Sequence, residues 1–134
     1  MFCWLSSLLS KLKPKDPWWS GRTLQVTTNG FSVIYDDEKN TEIAWSNIDQ
    51  IATWKEDVFS YDIICLGFHI RTSDDWMIIC EEESQFKEVR AAMESNFPTV
   101  SEKWLADVMF PAFERKFAVL YTAPQSELTP IPKT

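Results

Sequence analysis

A chain of 134 residues that is 45% hydrophobic, with seven Trp and nine Phe, holds enough apolar material for one domain with an aromatic-rich core. Its formal charge is −7, and residues 1–22 place Lys11, Lys13, Lys15 and Arg22 against Asp16 alone, so the remainder stands at −10. A surface of that sign repels phosphate backbones, which argues against nucleic-acid binding by the main domain and suits a basic protein partner.

Three cysteines, Cys3, Cys65 and Cys80, cannot all pair within the chain, and two of them lie in apolar runs where a free Cys acts as a small hydrophobe. This favours a reducing compartment. The lysines follow the first apolar segment instead of preceding it, and no small-residue cleavage site appears. No run reaches the roughly 18 apolar residues of a spanning helix. The expectation is a cytoplasmic protein.

Residues 1–21 form an amphipathic segment. Phe2, Trp4, Leu5, Leu8, Leu9 and Leu12 recur at helical spacing, Lys11, Lys13 and Lys15 follow, and Pro14 and Pro17 stop the helix. Two readings stand. In one, Phe2, Trp4, Leu5, Leu8 and Leu9 enter a lipid boundary while the lysines meet anionic headgroups. In the other, the same face folds back on the domain or the end frays. Trp18 and Trp19 are expected to anchor the segment to the body.

From Arg22 the period becomes two. Leu24 and Val26 alternate with polar neighbours, Asn29-Gly30 follows, and Phe31, Val33 and Tyr35 continue the alternation. Asn-Gly between such runs predicts a hairpin with a type I′ turn, both turn residues having positive φ. Asp36-Asp37-Glu38-Lys39-Asn40 reads as a polar loop and Thr41 to Trp45 as a third strand. Between Ser46 and Trp54 the apolar spacing fits neither period; a bend or single helical turn at Ser46-Asn47, then a strand to about Lys55, suits it best. Glu56-Asp57 makes a further turn.

The run from Tyr61 to Ile70 is apolar on both alternation phases, with Ile64, Leu66, Phe68 and Ile70 on one and Ile63, Cys65 and Gly67 on the other. Such a strand is covered from both sides. Trp76 to Cys80 follows a short polar loop at 72–75 and completes a central hairpin. Glu81-Glu82-Glu83-Ser84 then reads as a helix start, acidic residues in the first turn and Ser84 as N-cap. Phe86, Val89, Met93 and Phe97 form the inward stripe of a helix at about 84–96. A second helix at about 101–110, capped by Ser101, turns Trp104, Leu105, Val108 and Met109 inward. Phe113 and Phe117 to Tyr121 form a last apolar segment, strand or helix, and residues 123–134 read as a loose Pro-containing tail.

Chemistry is thinly represented. The one histidine, His69, sits late in the central strand on the phase of Cys65, Gly67 and Trp76, and reads as a structural residue. Cys65, Cys80 and His69 fall within a few strand positions of one another, but no C-x-x-C spacing supports zinc. The acidic groups Asp36-Asp37-Glu38, Asp74-Asp75 and Glu81-Glu82-Glu83 lack the register of a calcium loop; turns, solvation and helix capping account for them. Three glycines leave no phosphate-cradling loop. Neither an enzyme nor a cofactor is expected.

Residues 22–121 resemble a group of small single-domain bacterial proteins, themselves largely uncharacterised. The resemblance lies in Trp45-Ser46-x-Ile48-x-x-Ile51 with Lys55, Asp57 and Asp62, then Phe86, Phe97-Pro98, Trp104, Pro111-Ala112-Phe113 and Leu120. The strand order with a helix behind it also resembles the pleckstrin-homology-like barrel. The elements together are expected to make an α+β domain over 22–122: a bent antiparallel sheet or PH-like partial barrel of six or seven strands across about 22–81, then two helices. An open sheet with both helices on one face is the alternative.

By size and charge the chain is similar to immunity proteins, which bind and neutralise toxins. The expected function is therefore a protein-binding module for a basic partner, in concrete form a toxin domain. Acidic Asp36, Asp37, Glu38, Glu56 and Asp57 would steer that partner, and Tyr35, Trp54 and Phe59, where exposed, would supply anchor contacts. The competing function is a peripheral membrane module held through residues 1–19.

Overall fold

A computed structural model describes residues 17–57, 61–109 and 117–124. The amphipathic face at 2–12, Phe59, Pro111-Ala112-Phe113 and the tail beyond Pro124 lie outside the described residues. In chain order the elements are β1 (Arg22–Val26), β2 (Gly30–Tyr35), β3 (Asn40–Ala44), a 3-10 turn (Trp45–Asn47), β4 (Ile48–Asp57), β5 (Asp62–Ile70) and β6 (Asp75–Cys80). Two helices follow, α1 (Phe86–Asn96) and α2 (Trp104–Met109), and then β7 (Phe117–Thr122). The expected α+β class and two helices are present. The strands, however, divide into two unclosed antiparallel sheets, β1-β2-β3 and β6-β5-β4-β7, and the final apolar segment is a strand that pairs with β4.

Local chemistry explains most boundaries and corrects three expectations. The first hairpin forms, but its turn is centred one residue earlier than predicted: the Thr27 N–H donates to the Gly30 carbonyl at 2.9 Å, and Val26 faces Phe31. Neither Asn29 nor Gly30 has positive φ. Gly30 is required for another reason, since a Cβ there would stand 1.7 Å from the Ile43 carbonyl oxygen of β3. At α1 the N-cap is Gln85 with φ 65°, without a side-chain cap, so Ser84 does not cap it. On α2, Trp104 and Val108 are buried, but Met109 is 42% exposed instead of inward.

The main core lies between the two sheets and the helices. Leu24, Phe31 and Val33 meet Ile51, Leu66, Phe68 and Ile79, while Phe86, Val89 and Met93 of α1 and Trp104 and Val108 of α2 close it. Five aromatic rings run through it in sequence: Phe31 lies 5.1 Å from Phe68, Trp45 5.9 Å from Phe97, and Phe97 4.6 Å from Tyr121. Full burial of each such side chain favours folding by about 1.5–3 kcal/mol. The 3-10 turn at Trp45 exists because that ring must enter this layer before the chain reverses into β4.

The opposite face of the four-stranded sheet holds a second, smaller cluster of Ala52, Trp54, Ile63, Cys65 and Cys80, flanked by Trp19, Trp76 and Ile78. This is why β5 reads apolar on both phases. Trp19 packs on the body as expected, whereas its neighbour Trp18 is 45% exposed. Gly67 admits the flanking rings: a Cβ there would meet Trp54 at 2.9 Å and Trp76 at 3.2 Å.

Candidate functional site

The feature best suited to recognition is a groove of about 530 Å³ between the edge strand β3 and the β5–β6 hairpin. Thr41, Glu42 and Ile43 form one wall; Ile70, the turn residues Thr72 and Ser73, and Asp75, Trp76 and Met77 form the other. Its walls thus combine carboxylates with the half-buried side chains of Ile70, Trp76 and Met77. Asn47 ties the two walls, donating from Nδ2 to Thr72 Oγ1 at 2.8 Å and accepting the Arg71 N–H on its carbonyl at 2.8 Å. A second recess of about 400 Å³ lies between α2 and β7 and is lined mainly by Trp104, Val108, Phe117 and Leu120.

At the end of β3 away from the 3-10 turn stands the loop Asp36-Asp37-Glu38, exposed at all three residues. The Asp36 N–H donates to the Gly21 carbonyl at 2.9 Å, the Lys39 N–H donates to Asp37 Oδ1 at 3.2 Å, and Glu38 takes φ 69°. The backbone is therefore fixed while the carboxylates remain in water. Glu42 and Asp75 stand on the groove walls, and the loop precedes β3, the strand that forms one of them.

The hairpin wall is held by a polar constellation that sequence reading did not find. Between β4 and β5 the register slips at Ile48/Gln50, leaving Asp49 as the bulged residue. A bulge re-aims the side chain, and Asp49 Oδ1 comes to 2.5 Å from His69 Nδ1. On the other side Asp74, in the left-handed conformation at φ 56°, brings Oδ1 to 2.8 Å from His69 Nε2. Two carboxylate acceptors on two ring nitrogens are both satisfied only when the ring is an imidazolium. Burial lowers the His69 pKa, but the hydrogen bonds to Asp49 and Asp74 outweigh it and hold the value above 6.5. With both nitrogens occupied, His69 offers no lone pair to a metal shared with the thiols. Among the described residues no group of three or more His, Cys, Asp or Glu is arranged for a metal ion.

A group whose folded pKa is raised stabilises the fold fully below its unfolded pKa and loses that contribution as pH rises through the folded value. Stability is therefore expected to carry a His69-dependent component, complete below about pH 6.5 and fading above it. Urea midpoints measured across pH 5–9 should show this fall in the native chain and lose it in His69→Gln. An NMR titration placing the ring pKa at or below 6.5 would contradict the geometry.

The residues singled out from sequence separate into three groups. Asp36, Asp37 and Glu38 are exposed and Tyr35 is half-buried beside them. Trp54 has no exposed surface and stacks on Phe117 at 5.6 Å, so it drops out of the anchor set: its indole fills the outer cluster. Glu56 is half-buried and accepts from Trp18 Nε1 at 3.4 Å and Cys65 Sγ at 3.5 Å, which turns it to the outer face and away from the acidic loop. Phe59 and the Asp57 side chain lie outside the described residues. Glu83, expected to serve a helix start, is instead buried and paired with Arg22 at 2.6 Å. Its signal in sequence, one acidic residue in a row of three, is indistinguishable from its neighbours'.

Lys55 and Asp62, two residues of the resemblance described above, meet at 3.8 Å, and Lys55 Nζ also donates to the Met109 carbonyl at 3.2 Å. Their geometry ties β4 and β5 to the end of α2. No family model, curated protein or solved structure matches this chain.

Proposed function

We propose that the domain is a non-catalytic protein-binding module, in concrete form an immunity-type protein that neutralises a basic toxin domain in the cytoplasm. The observation that carries this reading is the acidic groove: Glu42 and Asp75 on its walls, the half-buried Ile70, Trp76 and Met77 beside them, and the exposed Asp36-Asp37-Glu38 loop at the end of β3. Carboxylates around an apolar strip suit a segment bearing Lys or Arg beside aliphatic side chains. The charges steer the encounter and the apolar strip holds the bound state. The finer description of the fold as a pleckstrin-homology-like partial barrel belongs to this proposal and is supported by the six successive strands that precede the two helices.

The test is co-expression with candidate basic toxin domains encoded in the same genome, followed by association kinetics with the one neutralised. Asp36→Lys, Asp37→Lys and Glu38→Lys together should slow association by about tenfold at low salt while leaving the fold intact by circular dichroism. Binding of the native chain should weaken as salt rises through the physiological range. Protection that survives with salt-independent kinetics would remove the acidic surface from the mechanism. Absence of protection against every candidate would remove the immunity reading itself.

A second reading, a peripheral membrane module, is favoured by one observation: Trp18 is 45% exposed where the chain leaves the amphipathic residues 1–16. The full chain would then float with anionic vesicles, and Trp4→Glu with Leu8→Glu would abolish flotation. Flotation of a chain beginning at Arg22 would exclude residues 1–19 as the anchor.

A further inference from the structure

Cys65 of β5 and Cys80 of β6 are directly opposed in the strand register. Both belong to the outer apolar cluster and neither has exposed surface. The hydrogen bonding beside them fixes which kind of pair they form. The Glu81 N–H donates to the Ile64 carbonyl at 2.9 Å, one residue beyond Cys80 on one strand and one before Cys65 on the other. In an antiparallel ladder that bond flanks a non-hydrogen-bonded pair, whose Cα atoms approach to about 4.5 Å with the side chains close together. A disulfide spans about 4.4–6.8 Å between Cα atoms. The pair therefore meets the distance requirement in its native register.

We propose that Cys65 and Cys80 are a reversible oxidation site, which a small peroxide converts to a single cross-strand disulfide. In the first step one thiol sulfur attacks a peroxide oxygen; the O–O bond breaks, a sulfenic acid forms, and the thiol proton leaves with the hydroxide as water. In the second step the other sulfur attacks the sulfenic sulfur, the S–S bond forms, the S–O bond breaks, and its proton leaves with hydroxide as a second water. The two thiols lose two electrons and one peroxide is reduced to two waters.

Cys80 is the residue oxidised first in this scheme, because it closes β6, the edge strand of its sheet. Burial raises both thiols, Cys80 to about 12 and Cys65 further, with the backbone N–H groups of Glu82 and Glu83 moderating the rise at Cys80. At rest both are protonated and slow, so oxidation waits on opening of the end of β6. That end is clasped by Arg22, which donates from Nη2 to the Ile78 carbonyl and from Nε to Glu83 Oε1, each at 2.6 Å, and by the Cys80 N–H, which donates to Glu83 Oε2 at 2.8 Å. The disulfide would thus mark sustained oxidant exposure and, once formed, fasten the hairpin that carries one wall of the groove.

The test uses the full native chain, folded, treated with hydrogen peroxide, alkylated under denaturing conditions and mapped by mass spectrometry. The expected product joins the Cys65 and Cys80 peptides with a loss of about 2 Da, leaves Cys3 alkylated, and reverts with dithiothreitol. Its circular dichroism should be native and its melting temperature higher by roughly 5–10 °C. The proposal fails if both residues remain alkylated, if either is recovered as a sulfinic or sulfonic acid, or if either is joined to Cys3. It also fails if the 65–80 link forms only with loss of the native spectrum, since the register would then not be the one that admits the bond.

Discussion

Phe68→Ala is expected to lower the free energy of unfolding by roughly 3–5 kcal/mol. Phe68 has no exposed surface and stands on the central strand β5, its ring 5.1 Å from Phe31 and 6.2 Å from Trp45. Both neighbours belong to other elements, the first sheet and the 3-10 turn, and neither can move inward without surrendering its own contacts. The truncation therefore loses transfer free energy and leaves a cavity. A domain stable by about 5–15 kcal/mol would keep only part of its margin. Gln25, on β1, is exposed, and Gln25→Ala should stay within about 0.5 kcal/mol of the native chain. Urea denaturation of the three proteins decides the point: coincident midpoints for Phe68→Ala and the native chain would mean that the centre of the fold lies elsewhere.

Glu83→Ala should be about as costly, for an electrostatic reason. The Arg22 and Glu83 side chains are 8% and 1% exposed, and the guanidinium meets the carboxylate as a fork, Nε to Oε1 at 2.6 Å and Nη2 to Oε2 at 3.1 Å. Removing the carboxylate leaves a charge inside the protein held only by neutral acceptors, the Ile78 carbonyl and Tyr35, and deprives the Cys80 N–H of its partner. Breaking a buried pair from one side costs about 3–5 kcal/mol, whereas replacing both partners with apolar residues of similar volume is often close to neutral. Arg22→Met combined with Glu83→Leu should thus be more stable than Glu83→Ala alone. If the single change costs less than about 1 kcal/mol, the pair behaves as a solvated surface bridge and the burial described here is wrong.

These two experiments probe features of unequal legibility. Phe68 announces itself: alternating apolar residues on both phases mark a doubly covered strand, and the structure buries both faces. The helix at Phe86 is equally plain, because Phe86, Val89 and Met93 repeat at its period and are buried. Arg22 and Glu83 are 61 positions apart, and nothing in either neighbourhood distinguishes them from solvated charges. Of the candidate site, the loop at Asp36, Asp37 and Glu38 was readable as an exposed acidic turn. Its companion wall was not, since Glu42 and Asp75 become neighbours of one groove only when β3 and the β5–β6 hairpin come together.

Composition and periodicity carry information along the chain. They specify the α+β class, the hairpins, the helix faces and the acidic balance, since each depends on residues a few positions apart and on the side-chain directions that strands and helices impose. What they omit is set by single displacements across space. One slipped residue at Asp49 turns a carboxylate onto His69, and one backbone approach at Ile43 makes Gly30 indispensable, which its place after Asn29 had suggested for another reason. The division of the strands into two unclosed sheets is of the same kind. A strand's own residues prescribe which face is apolar, while the partner on each edge depends on how the whole layer packs, and that energy is defined only once distant segments are in contact.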